Sequence, residues 1–302
     1  MSYRSFPPRS SSSSQTPLTG PPSGFLQTTR DGLRHVEHVM GLPWMFDVCD
    51  TAVGTRELQA VIDWLHWVDS TFSTYRRDSQ VSRLNRGELE LADLHPDVRD
   101  VLDRCEVLRQ QTDGYFDITA PYRDGNAPPE GAGGPGAVEP SGLVKGWAIA
   151  GAAARLREAG AHNFSVNAGG DAYLSGHPES GDRWRIGIQH PRLSSDIALT
   201  LALRDVAIAT SGAYARGAHI SDPRGEQAGG LLSVTIVGPD IATADAYATA
   251  VFAMGSDRAE YFCAELEGYD AVLIRDDDTM LTTPGIDRLR TDPPSADARM
   301  TD

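Results

Sequence analysis

The chain has 302 residues, 40% hydrophobic and 23% charged, and a formal net charge of −15 from 27 Lys and Arg against 42 Asp and Glu. That is globular composition, long enough to bury an ample core without disulfides or a structural metal. The acidic excess argues against duplex nucleic acid or an anionic membrane surface as partner, since both are gripped through Lys and Arg.

Residues 1–25, MSYRSFPPRSSSSSQTPLTGPPSGF, are rich in Ser and Pro and carry no apolar stretch like that of a secretory or lipoprotein leader. Such a segment buries too little surface to offset its ordering entropy, so a disordered leader is expected. No run reaches the length of a membrane span, and the chain reads as soluble and cytoplasmic. Trp44, Phe46 and Val48 then alternate with Met45 and Asp47 at the period of a half-buried strand. Leu58, Val61, Ile62, Leu65 and Val68 share one helical face, and a second helix opens at Pro96, carrying Val98, Val101, Leu102, Cys105 and Leu108 inward. Residues 123–141, RDGNAPPEGAGGPGAVEPS, read as a flexible surface loop. Its GAGGPG lacks the Gly-Lys-Ser/Thr ending of a phosphate loop.

A third helix is expected over 145–159, stopped by Gly160, and strands over 163–167, 184–189, 197–203, 206–210 and 231–237. Two helices follow, over 244–254 and 256–267, then a strand over 271–274, an acidic turn at 276–278 and a polar tail from 289 expected to be disordered. Strands and helices do not alternate regularly, which favours an α+β fold over a doubly wound one. One domain over 26–288 is expected between the leader and a tail of 289–302. Cys49, Cys105 and Cys263 lie far apart, with no CxxC spacing, and read as small hydrophobes.

Three polar clusters interrupt these elements. Asp245 and Thr249, four apart on a helix, share a face among small alanines. They offer oxygen ligands to a hard cation such as magnesium, or Asp245 simply complements the helix dipole. His219, just before Asp222-Pro223, is a proton acceptor at neutral pH if a hydroxyl comes within reach, or else a turn histidine. Asn167-Ala168-Gly169-Gly170-Asp171 permits close backbone approach to a ligand, or forms a hairpin or bulge.

Eight pieces, taken in order, carry a resemblance. They are Met40-Gly41; Ser70-Thr71-Phe72-Ser73-Thr74-Tyr75 with Asp78-Ser79 and Leu84-Asn85; Gly114-Tyr115-Phe116-Asp117-Ile118-Thr119; and Lys145-Gly146-Trp147-Ala148. Then come Asn167 to Asp171; Ala209-Thr210-Ser211-Gly212; His219-Ile220-Ser221-Asp222-Pro223; and Ala244-Asp245-Ala246-Tyr247-Ala248-Thr249. Over residues 39–286 the chain resembles the flavin transferases named for ApbE, which place FMN from FAD on a protein with the help of magnesium. The resemblance implies an α+β architecture with a mixed, largely antiparallel sheet and packed helices, T-fold-like. It implies magnesium on the side chains of Asp245 and Thr249 and on carbonyls of Ala248 and near Gly142. FAD contacts are implied at Met40, Tyr75, Phe116, Asp117, Ile118, Glu139, Lys145 and Ile220, and His219 is implied as base.

The implied partner is an acceptor flavoprotein with a target threonine, and the implied product is AMP; hydrolysis of FAD to FMN and AMP, or FAD binding without turnover, are the alternatives. The chain departs from the family pattern at Ala120-Pro121-Tyr122-Arg123, where Gly-Pro-Leu is usual, and at Glu139 and Ala150, where Asp is common. Asp245 is expected to face solvent, so that its loss costs little stability.

Overall fold

The computed structural model describes residues 1–5, 24–29, 32–120, 136–212 and 229–292, and the structural statements below concern these. Strand β4 (Leu42–Val48) buries Trp44, Phe46 and Val48 completely and leaves Met45 partly exposed, as its alternation requires. The other strands are β1 (Ser2–Ser5), β2 (Phe25–Thr28), β3 (Leu33–Val39), β5 (Phe164–Ala168) and β6 (Asp171–Ser175). They continue with β7 (Trp184–His190), β8 (Leu193–Leu203), β9 (Val206–Gly212), β10 (Leu231–Gly238), β11 (Asp270–Arg275) and β12 (Thr279–Thr282).

Ten of them form one sheet in the order β1-β12-β11-β10-β9-β6-β5-β4-β3-β2, and β7 and β8 form a separate hairpin. Every pairing is antiparallel. The helices are α1 (Thr55–Phe72), α2 (Gln80–Asn85), α3 (Pro96–Gln111), α4 (Ser141–Glu158), α5 (Ile241–Met254), α6 (Ser256–Glu265) and α7 (Pro284–Leu289). This is the expected α+β class with an antiparallel sheet. Among the described residues no helix is long and apolar enough to cross a membrane.

Two cores lie against the large sheet. Leu58, Val61, Ile62, Leu65 and Val68 of α1, the apolar face of α3, and α4 and α5 pack with Ala207, Ala209, Val234 and Ile236 in the larger one. The side chains pointing the other way, Leu174, Ile208, Val272 and Ile274, meet Trp184, Ile188, Leu201 and Leu203 of the hairpin.

The structure departs from the expected elements where pairing or geometry overrides composition. Ser2–Ser5, for which no strand was expected, pair with β12: an exposed edge recruits backbone whatever the side chains. At the other end Thr291 N donates to Thr200 O at 3.0 Å, so the chain is held past residue 289. Helix α4 starts at Ser141, inside the stretch read as loop, because the Pro140 carbonyl accepts from both Leu143 N and Val144 N. Strand β6 escapes the alternation pattern because both its faces are covered. It is joined to β5 by Gly169 and Gly170, with φ of 61° and 100°, a two-residue hairpin turn.

Asp50, beyond β4, ties that strand to the start of β5: its Oδ2 accepts from His162 N at 2.6 Å and Asn163 N at 2.5 Å, and its Oδ1 from Asn163 Nδ2 at 2.9 Å. Burial works to raise this carboxyl, but the Asn163 and His162 hydrogen bonds outweigh it and hold it below its usual value. A depressed carboxyl contributes stability that is present above its unfolded-state pKa and is lost as pH falls through the folded-state value. Asp50→Ala should therefore cost about 1–2 kcal/mol at pH 7, discounted for partial exposure. The cost should shrink in urea titrations below about pH 3.9, the reference value for aspartate.

Candidate functional site

The site begins with a contact that only glycine allows. A Cβ on Gly146 of α4 would lie 2.7 Å from both Ala242 Cα and Ile241 O of α5, and 3.0 Å from Asp245 Cβ. Without it the two backbones meet, and Gly146 N donates to Asp245 Oδ2 at 3.0 Å. Gly146→Ala should push the helices apart, at a cost of about 1–3 kcal/mol by overpacking, and disturb the site next to it. Denaturation and ligand binding measured on the same variant test both effects.

Lys145 lies beside this crossing. Its Nζ is 2.5 Å from Asp171 Oδ2 and 3.3 Å from Asp245 Oδ1, and both aspartates are buried, at 1% and 3% exposure. The notion of Asp245 as a solvent-facing carboxylate is thus corrected: on α5 it faces α4 and not water. Burial works against the Lys145 ammonium, but the charges of Asp171 and Asp245 outweigh it and raise its pKa. Burial also pushes the Asp245 carboxyl up, Lys145 pulls it back and Asp171 raises it again. With one cation between two carboxylates, the cluster has a formal surplus of one negative charge, and burial of Asp245 works against it.

Hydroxyls border the cluster. Asp171 Oδ1 accepts from Thr210 N of β9 at 2.8 Å, and the next residue, Ser211, has its Oγ 3.5 Å from Thr249 Oγ1. Gly142 faces Thr249, since a Cβ there would be 3.8 Å from Thr249 Oγ1 and 3.2 Å from the Phe116 ring. Phe116 is buried, and the segment after it is fixed locally: Asp117 Oδ1 accepts from Thr119 N at 2.8 Å and Thr119 Oγ1 at 2.7 Å. Glu139 binds this segment to its surroundings. Its N donates to Ile118 O at 2.7 Å, its Oε2 accepts from Thr74 Oγ1 at 2.5 Å, and its Oε1 accepts from Ser141 N at 3.2 Å.

Phe116, Ile118, Glu139, Gly142, Lys145, Asp245 and Thr249 are therefore linked by contacts, with Asp117 beside them. Tyr75 follows Thr74 and is 77% exposed, an aromatic face open to a ligand. Met40, with φ of 57°, forms the β3–β4 turn with Gly41. That turn adjoins the β5–β6 turn, where Leu42 packs within 3.3 Å of the Gly169 Cβ position. Ala248 is fully buried. His219 and Ile220 lie outside the described residues.

Sequence reasoning missed the role of Asp171 as the nearer counter-charge of Lys145. Its one signal was an acidic residue immediately after the double-glycine turn. Thr74 and Ser211 stood within the matching pieces but were given no role, because a hydroxyl residue carries no periodic signal that would show its partner.

The donor set suits a hard cation. Each Asp245 oxygen makes one contact above, and a carboxylate has about four lone-pair sites, so acceptor capacity remains beside the Thr249 hydroxyl and the bare backbone of Gly142. Such oxygen donors match magnesium. Among the described residues no group of three or more His, Cys, Asp or Glu side chains is arranged to hold a metal. A cation here would take the rest of its ligands from backbone, water and substrate phosphate.

The chain is similar to known proteins over the residues that build this site. It is 33% identical over 132 residues to the FAD:protein FMN transferase of Vibrio cholerae, covering 40% of each chain. It is 36% identical over 119 residues to that of Treponema pallidum, covering 35% of this chain and 33% of the relative. The matches thus span about 40% or less of the length of these relatives. The fold is shared with the solved flavin transferase ApbE from Vibrio cholerae, TM-score 0.73 at 24% identity, over 85% of this chain and 98% of that one. It is shared too with the ApbE protein from Thermotoga maritima, TM-score 0.75 at 21% identity, over 86% and 99%. A profile of the ApbE family matches residues 40–122 and 132–273, which include Lys145, Asp171, Asp245 and Thr249. The chain belongs to the ApbE family.

Proposed function

We propose that this protein transfers FMN from FAD to a threonine hydroxyl of an acceptor flavoprotein and releases AMP. The observation that carries the reading is the cluster of Lys145 with the buried Asp171 and Asp245 beside Thr249, a fixed arrangement of charge and oxygen donors at the α4–α5 crossing. Relatives named FAD:protein FMN transferase support it.

Transfer needs little from the protein except position and charge. The threonine oxygen forms a bond to the phosphorus on the riboflavin side of FAD. The bond from that phosphorus to the bridging oxygen breaks, the oxygen leaves with AMP, and the hydroxyl proton passes to a base, His219. Asp245 and Thr249 would hold magnesium, with carbonyls of Ala248 and near Gly142; once bound, the ion offsets the charge of the pyrophosphate. Lys145 supplies a fixed positive charge to a phosphate oxygen, held in one orientation by its carboxylates. Tyr75, Phe116, Asp117, Ile118, Glu139, Met40 and Ile220 would bind and orient FAD.

Purified protein incubated with FAD and magnesium, with AMP followed by chromatography, tests the reading. AMP should form, need the divalent cation, and form faster when a flavoprotein acceptor is present. AMP formed equally with and without any acceptor would mean that water takes the place of threonine, and FAD bound without AMP would mean a binding protein.

A further inference from the structure

Lys145 has two carboxylate partners at unequal distances. The nearer, Asp171 at 2.5 Å, is not the residue expected to hold a cation; the farther, Asp245 at 3.3 Å, is. Asp171 is also the more firmly placed. It stands at the first position of β6, directly after the Gly169-Gly170 turn, and its other oxygen accepts from Thr210 N in β9, an interior strand of the ten-stranded sheet. With 1% exposure it has no water to replace the ammonium if Lys145 moves away.

We propose that Asp171 is a positioning residue that holds the Lys145 ammonium on its own side, at 2.5 Å against 3.3 Å to Asp245 Oδ1, so that a divalent cation can displace the longer contact and take that oxygen. This rests on the reading of Asp245 and Thr249 given above. Lys145 is partly buried against two buried carboxylates, and an ammonium withdrawn from water in this way stays paired. Without Asp171 it would tighten its 3.3 Å contact with Asp245 Oδ1 and compete more strongly with the cation for that oxygen. The formal charge of the three side chains would also rise by one, so a cation would meet less attraction. The same carboxylate sets Thr210 and so the neighbouring Ser211, which contacts Thr249. One side chain thereby fixes the lysine and a wall of the site.

Asp171→Asn separates these roles, since the amide oxygen still accepts from Thr210 N while the charge toward Lys145 is gone. Binding of Mn2+ to the full chain, measured by calorimetry without FAD, should weaken by about tenfold or more in this variant. The double variant D171N/K145M should recover the affinity, because the competing cation is removed; a purely structural loss would not be recovered.

Unchanged Mn2+ affinity in D171N, or a loss that the double variant leaves in place, would overturn the proposal. If D171N does not fold, K145M alone serves: it should bind Mn2+ more tightly than wild type, and weaker binding would overturn the proposal equally. A wild-type chain that binds no Mn2+ would overturn the metal reading and this inference with it. Failure of the wild type to form AMP would count against transfer alone and leave the Mn2+ comparison standing.

Discussion

Asp245→Ala should reduce AMP formation by about 10³-fold or more, the loss expected when several kcal/mol of charge stabilisation at a phosphoryl centre is removed. The variant should not be as stable as wild type. Asp245 is 3% exposed and accepts from Gly146 N, so truncation leaves a buried amide without its partner at a cost of about 1–3 kcal/mol. Lys145 keeps Asp171, which prevents the larger penalty of an unpaired buried ammonium. Asp245→Asn separates the two effects: its side-chain oxygen still accepts from Gly146 N, while its NH2 would face Lys145, which keeps Asp171, so the stability loss should be smaller than for alanine while turnover is lost. Urea denaturation and AMP release measured on both variants check this, and an asparagine variant that turns over normally would remove Asp245 from the chemistry.

His219→Ala should lower FMN transfer by about 10²–10⁴-fold, the usual contribution of a general base. FAD binding and the requirement for a divalent cation should be kept, since the proposed role of this residue is toward the acceptor hydroxyl. Wild-type transfer should rise with pH as one group loses its proton, in the range of the reference histidine value of about 6.5. A variant with normal transfer would leave His219 as a turn residue before Asp222-Pro223.

Much of this could be read from the sequence because two periodicities survive in it. Val98, Val101, Cys105 and Leu108 of α3 and Trp44, Phe46 and Val48 of β4 are buried as their spacing implies. What escaped did so for physical reasons. Strand β12 is only four residues long, β6 is covered on both faces, and β1 owes its existence to an edge that no local pattern announces. The start of α4 was hidden by Pro140, Ser141 and Gly142, residues that signal a loop in isolation but here form a helix start.

At the site, the spacing of Asp245 and Thr249 was visible, but the burial of Asp245 was not. It depends on Gly146, 99 positions earlier in the chain, admitting α5 to van der Waals contact. The pairing of Lys145 with Asp171 is likewise a product of tertiary structure, joining a helix to a strand that the alternation pattern never marked.

The proposed transfer moves the FMN half of FAD into covalent attachment to a protein. Mass spectrometry of a flavoprotein acceptor, after incubation with this protein, FAD and magnesium, tests that most directly. The acceptor should gain one FMN less one water, on a threonine, with one AMP released per modification. AMP accumulating while the acceptor mass stays unchanged would contradict the claim.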